Sequence, residues 1–175
     1  MTTETILTRI PKNTSFLQPT KYTFSFATMP FLTYFCQSVQ IPGISTSAVT
    51  VPSPFANMYR HGDKLVYDQL SISAIIDEDL QVWEETHDWL TALTKPEAYE
   101  QYKKFYDPNK KLYHDAIMTI NTNANINNIR VQFFNCHPVS LSSVNFSTAD
   151  NADTIISADI VFRYDYYKIT RLTTM

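Results

Sequence analysis

Apolar and polar residues alternate with a period of two along much of this chain. Tyr22, Phe24 and Phe26 alternate with Lys21, Thr23 and Ser25, the pattern of a half-buried strand. Met29-Pro30 then supplies a turn, and Thr33–Ile41 reads as a second strand with Phe35, Val39 and Ile41 on one face. Pro42-Gly43 stops it. Leu65–Ile76 reads as a strand in which Leu70, Ile72, Ala74 and Ile76 alternate with Gln69, Ser71 and Ser73. Ala116, Met118 and Ile120 mark another strand, and Ile129, Val131 and Phe133 its neighbour, with the asparagine-rich run Asn121–Asn128 as the hairpin loop between them. After Pro138 a broken strand covers Val139–Phe146, and Ser147–Asp153 is a polar loop. The last strand is expected to be the longest: Ile156, Ala158, Ile160, Phe162, Tyr164 and Tyr166 face one way, Ser157, Asp159, Arg163 and Asp165 the other.

The period lengthens only in the middle of the chain. From Leu80 to Leu93, Val82, Trp83, Thr86, Trp89, Leu90 and Leu93 form one face of a helix and Glu84, Glu85, Asp88 and Thr91 the other. Asp77, Glu78 and Asp79 put negative charge where the helix should start, which suits its positive end. Pro96 is expected to open a second, shorter helix running to about Tyr106, so that 80–106 is a helical segment. The sum is roughly six to eight strands beside one main helix. The fold class is therefore mainly β with a flanking α-helix: two packed antiparallel sheets, or a barrel-like closure of them. One domain is expected over 20–169, with an N-terminal arm at 1–19 and a short tail at 170–175.

Ile44–Lys64 breaks the pattern. It has little periodicity beyond a short strand at Val49 and Val51, yet it carries Pro52, Pro54, Phe55, Met58 and Tyr59. A loop of this length is rarely without a role, and this one is apolar for a solvent-exposed segment. It either folds back on its own core or is an extension that packs on a neighbouring subunit.

Composition narrows the function classes. The chain has 175 residues, 44% hydrophobic, 14% aromatic and 18% charged, so it is long enough to build a core without metal or disulfide and rich in residues that favour strands and subunit contacts. Its two glycines, Gly43 and Gly62, exclude a glycine-rich phosphate loop. A net charge of −3 with no basic stripe argues against tight DNA binding. Cys36 and Cys136 belong to no ligand-spaced motif and read as reduced thiols, although a bridge between them stays open. With no secretion signal and no run of apolar residues long enough to span a bilayer, the protein is expected in the cytoplasm, leaving only within an assembly and without a membrane partner.

Candidate chemistry is sparse. His87 lies between Trp83 and Trp89 with no second histidine at metal-binding spacing. His114-Asp115 and Cys136-His137 are strand neighbours pointing to opposite faces, and His61 with Asp63 beside Gly62 reads as turn chemistry. Asp77, Glu78 and Asp79 sit in no calcium-loop pattern. No serine lies in a nucleophile elbow. No catalytic residue, cofactor or metal ligand is assigned.

In order along the chain, several short motifs resemble one family. They are Cys36-Gln37-Ser38-Val39-Gln40-Ile41-Pro42-Gly43, a strand ending in Pro-Gly; Gly62-Asp63-Lys64 running into Tyr67-Asp68-Gln69-Leu70-Ser71-Ile72; Asp77-Glu78-Asp79 ahead of the helix with Trp83 and His87-Asp88-Trp89-Leu90; and Pro138-Val139 followed by Ile160-Val161-Phe162-Arg163-Tyr164-Asp165-Tyr166. Together, over Thr20–Ile169, they are similar to tail-tube proteins of contractile-tailed bacteriophages. The tube component of type VI secretion shares that fold. The resemblance implies a structural virion protein of the tail, assembled in the host cytoplasm as homo-hexameric rings whose sheets join into an inner barrel. Its partners would be stacked tube rings, sheath and baseplate proteins, and DNA that passes through without being gripped. It makes Ile44–Lys64 the loop that reaches a neighbouring subunit or ring, with Pro52, Pro54, Phe55, Met58 and Tyr59 in contact. Ser71, Ser73, Ser157, Asp159 and Asp165 are the lumen-facing candidates, since a neutral or mildly acidic wall lets phosphate slide. The main expectation is a repeating tube subunit. The alternatives are a tube-initiator or baseplate ring at the end of the tube, a type VI secretion-like tube component, and a baseplate enzyme acting on peptidoglycan, for which no paired carboxylates or metal set can be assembled.

Overall fold

In the computed structural model, residues 13–172 are described except 97, 110, 111, 150 and 152. Nine strands and three helices form among them. The alternation at Tyr22–Phe26 becomes strand β1, with Phe24 and Phe26 turned into the core. The next element is not a second strand but a short helix, α1 (Pro30–Phe35), with Pro30 in its first turn. There the missing proline N–H costs nothing. Met29 and Leu32 are its fully buried anchors. Only Cys36–Val39 remains as strand β2.

Two further strands, β3 (Ile44–Val51) and β4 (Met58–Tyr67), pair with each other alone. The segment expected to be a long loop with a short strand at Val49 and Val51 is thus a two-stranded hairpin, with both residues in β3. Its alternation escapes notice because both faces are exposed, so no apolar-in, polar-out pattern is needed along it. The strand expected over Leu65–Ile76 divides at Asp68-Gln69: Leu65–Tyr67 ends β4, and β5 (Leu70–Ile75) belongs to the main sheet. Helix α2 (Gln81–Thr94) forms as expected. Helix α3 (Tyr99–Phe105) begins later than Pro96, its first turn preceded by an extended Ala98. The acids ahead of α2 build a turn in which Leu80 N–H donates to Asp77 O and Val82 N–H reaches Asp77 Oδ1 at 3.4 Å. Leu80 takes the left-handed conformation there, at φ 58°.

Strand β6 (His114–Asn121) pairs with β7 (Asn127–Leu141) across the asparagine loop, where Asn125 is left-handed at φ 60°. At fifteen residues, β7 is the longest strand and continues past Pro138, with a register shift against β8 between Pro138 and Ser140. The expected final strand is two strands, β8 (Ser157–Arg163) and β9 (Tyr166–Arg171). The expected tail from 170 is therefore partly strand, and Leu172 N–H still donates to Asn128 O.

The path of the main sheet is β1-β6-β7-β8-β5-β2, all antiparallel, with β9 on the free side of β7's first half. Strand β7 pairs with β9 up to Phe134 and with β8 from His137 onward. The strands bend together at one point. Asn135 is left-handed at φ 56°, its Nδ2 donates to Asp165 Oδ2 at 2.6 Å, and its N–H donates to Asp115 Oδ1. The bend lets the two halves of the sheet fold over one core containing Phe24, Phe26, Leu70, Ile72, Val131, Phe133, Ile160 and Phe162. The outer strands of the path come together, with Tyr22 Oη of β1 donating to Gln37 O of β2 at 2.6 Å. Helix α2 closes the core through Trp89, which lies against Phe26, Phe105 and Phe162 and donates its indole N–H to Leu112 O at 3.0 Å.

Candidate functional site

The most distinctive surface is the β3–β4 hairpin. Tyr67 anchors its base by packing edge-on against Tyr164 and Tyr167 at 5.9 and 5.5 Å. Tyr167 Oη donates to Pro42 O, and Asp68 N–H to Gly43 O. From there the hairpin projects without covering the core. Halfway along, Ser47 alone stands opposite Gly62-Asp63-Lys64, because the register slips between Thr46 and Ala48. A Cβ at Gly62 would run into the Ser47 main chain, so only glycine fits this bulge. The glycine–aspartate motif read as a turn is thus a kink inside a strand.

Of the five residues singled out for contact, Met58 and Tyr59 lie at the start of β4 and Pro52, Pro54 and Phe55 in the connection. Phe55 is 99% exposed and Tyr59 71%. Sequence reading missed Val49, Leu65 and Val66, which are exposed on the same hairpin. An isolated two-stranded ribbon is barely stable in water, and one so rich in exposed apolar side chains marks an interaction surface.

The second surface is the polar face of β5 and β8. Ser73 stands directly across from Asp159, Ser157 across from Ile75, and Ser71 across from Val161. Leu70, Ile72, Ala158, Ile160 and Phe162 occupy the opposite, buried face. Four of the five lumen candidates therefore share one surface. Asp165 does not join them, since it is held at the bend by Asn135.

No group of three or more His, Cys, Asp or Glu able to hold a metal ion occurs among the described residues. The histidines have structural surroundings. His114 Nε2 lies 2.8 Å from Phe105 O and its ring meets Trp89 edge-on. His87 stacks on Trp83, and His61 is exposed on the hairpin. Cys36 and Cys136 are not joined in a disulfide; burial lifts the Cys36 pKa to about 11, which keeps it protonated and unreactive near neutrality. Glu85, expected on the solvated face of α2, is buried instead. Burial raises its pKa, while the backbone N–H groups of Phe31 and Leu32 at the start of α1, bonded to it, pull the other way. No helix among the described residues is long and apolar enough to cross a membrane.

A projecting apolar hairpin and a polar sheet face are the distinctive surfaces of this β domain, and no reaction centre is assembled among its described residues. The chain belongs to the phage tail tube protein family, whose model matches residues 6–170; it is a structural protein of the phage tail, not an enzyme. It is 26% identical over 138 residues to the tail tube terminator protein of Enterobacteria phage T4, an alignment covering 77% of this chain and 76% of that protein. Its fold is similar to the tube-terminating cap of the anti-feeding prophage, with a TM-score of 0.63, 12% identity and coverage of 95% and 99% of the two chains. It is also similar to the sheath/tube terminator of the extracellular contractile injection system PVC, with a TM-score of 0.59, 13% identity and coverage of 90% and 99%.

Proposed function

We propose that this protein is the terminator of a contractile phage tail tube: a ring that seats on the last tube ring and ends its growth. The observation that carries the reading is the similarity to the T4 tail tube terminator over three quarters of each chain. The cap and terminator folds matched over nearly their whole length are consistent with it. The sequence expectation of a repeating tube subunit gives way here to a role at the end of the tube. That is the kind of position anticipated for an initiator or baseplate ring, although a terminator was not among the alternatives weighed from sequence.

In this reading the copies form a closed ring, which removes the free edges of β1, β2 and β9 from solvent. The β3–β4 hairpin, with Pro52, Pro54, Phe55, Met58 and Tyr59, reaches the next subunit or the ring below. The face bearing Ser71, Ser73, Ser157 and Asp159 lines the passage, with Asp165 at its margin; being neutral to acidic, it does not hold DNA. The name of the injection-system relative pairs sheath with tube terminator, and sheath is accordingly a second expected partner.

The test is tube assembly observed by electron microscopy. Tubes are grown from the phage's repeating tube protein with and without this chain. The expected result is tubes of arrested length carrying one extra ring at a single end. Long tubes built from this chain alone would restore the tube-subunit reading.

A further inference from the structure

Between α1 and the start of α2 lies an open hollow of about 540 Å³. Its floor is aromatic, formed by Phe31, Tyr34 and Phe35, and its rim carries Asp77, Glu78 and Asp79. Tyr34 is 81% exposed, its ring meeting Phe35 edge-on with centroids 4.9 Å apart. Asp77 and Glu78 also border an adjoining hollow of about 520 Å³ on which Phe146 and Ile155 are exposed. The surface therefore reads apolar, acidic, apolar, and among the described residues no Lys or Arg lines either hollow.

One segment of the chain has the complementary order. Met1–Lys12 carries Ile6 and Leu7, then Arg9, then Ile10 and Lys12: two cations against the single carboxylate of Glu4. At ~3.3 Å per residue these twelve positions reach roughly 40 Å. The chain leading to them starts far from the hollow. Residues 13–18 are exposed throughout, and Phe16 is 89% exposed. They lie beside the β6–β7 loop, next to Asn121 and Asn128, at the end of β1 opposite the hollow. From this placement we infer that Met1–Lys12 of one copy binds the acidic aromatic groove of a second copy. Ile6 and Leu7 cover apolar surface on one side, Arg9 meets the Asp77–Asp79 rim, and Ile10 covers the other side. The segment would act as a clasp between subunits, and the inference rests on the ring reading above.

The test places a benzophenone side chain at position 34 of the full-length protein. Light and heavy isotope-labelled subunits are mixed while dilute, assembled and irradiated. Peptides cross-linked to residues 1–9 or 10–12 and pairing light with heavy chains are expected. Charge reversal by Arg9→Glu should cut this yield at least several-fold, and adding Asp79→Lys to the same chain should restore it. Rings that form without a cross-link to the segment would overturn the clasp and leave the ring reading standing. Cross-links confined to one isotope would overturn the second-copy assignment. A protein that stays monomeric at every concentration would overturn both.

Discussion

Two single residues carry physical consequences that can be measured. Gly62 faces the Ser47 main chain at the hairpin bulge, where a Cβ has no room. Gly62→Ala should break the β3–β4 register and leave the core intact, because the hairpin pairs only with itself. Hydrogen exchange should then speed up at the amides of 44–67 while those of β6 and β7 stay protected; unchanged protection in the hairpin would contradict the bulge argument. Glu85 is the second. Burial holds its pKa above the ordinary carboxylate value, so the fold favours its protonated form. Its contribution is most favourable below the unfolded-state pKa and is lost as pH rises through that value to the raised one. Glu85→Gln should therefore raise the denaturation midpoint at pH 7 relative to pH 4, compared with the parent protein, since the amide oxygen can still accept the Phe31 and Leu32 N–H groups. A parent and variant differing equally at both pH values would refute the assignment.

At the scale of elements, legibility in the sequence followed burial. Strands β1, β5, β6 and β8 each have one buried and one open face, so their period of two is written in the residues. Helix α2 was legible because Val82, Thr86 and Trp89 recur at helical spacing. Three features were not. Alternation persists across the bend at Tyr164-Asp165, so β8 and β9 read as one strand, and only the left-handed Asn135 opposite betrays the corner. Helix α1 is a single short turn-and-a-half hidden in an apolar run, set by Pro30 and by Glu85 from another helix. The hairpin has no buried face to leave a signature. The exposed apolar residues proposed for contact could be named from apolarity without that structure, whereas the aromatic groove around Tyr34 could not, since it needs α1 and the acidic turn brought together. The energetic centre of the elements is Trp89, fully buried against side chains from β1, β8 and α3. Trp89→Ala should cost about 3–5 kcal/mol in denaturant unfolding. Trp83→Ala should cost clearly less, because Trp83 is partly exposed, donating its indole N–H to Ser142 O and stacking on the His87 ring. Equal losses would mean that α2 docks differently.

For the whole molecule, the question is where stability and assembly separate. The core is complete without the hairpin, which meets the domain at its base through Tyr67 and places Phe55 and Tyr59 in solvent. An exposed aromatic side chain adds almost nothing to the folding of an isolated subunit but can dominate an interface, where burying one is worth several kcal/mol. The double variant Phe55→Ser, Tyr59→Ser should therefore unfold within about 0.5 kcal/mol of the parent yet fail to form rings in sedimentation at concentrations where the parent assembles. Retained rings with a failure to seat on tube ends would instead assign the hairpin to contact between rings. Retained rings that also arrest tube growth would remove the hairpin from assembly altogether. A drop in stability equal to that of a core substitution would mean that the hairpin folds back on its own domain, the alternative that its apolar content alone could not exclude.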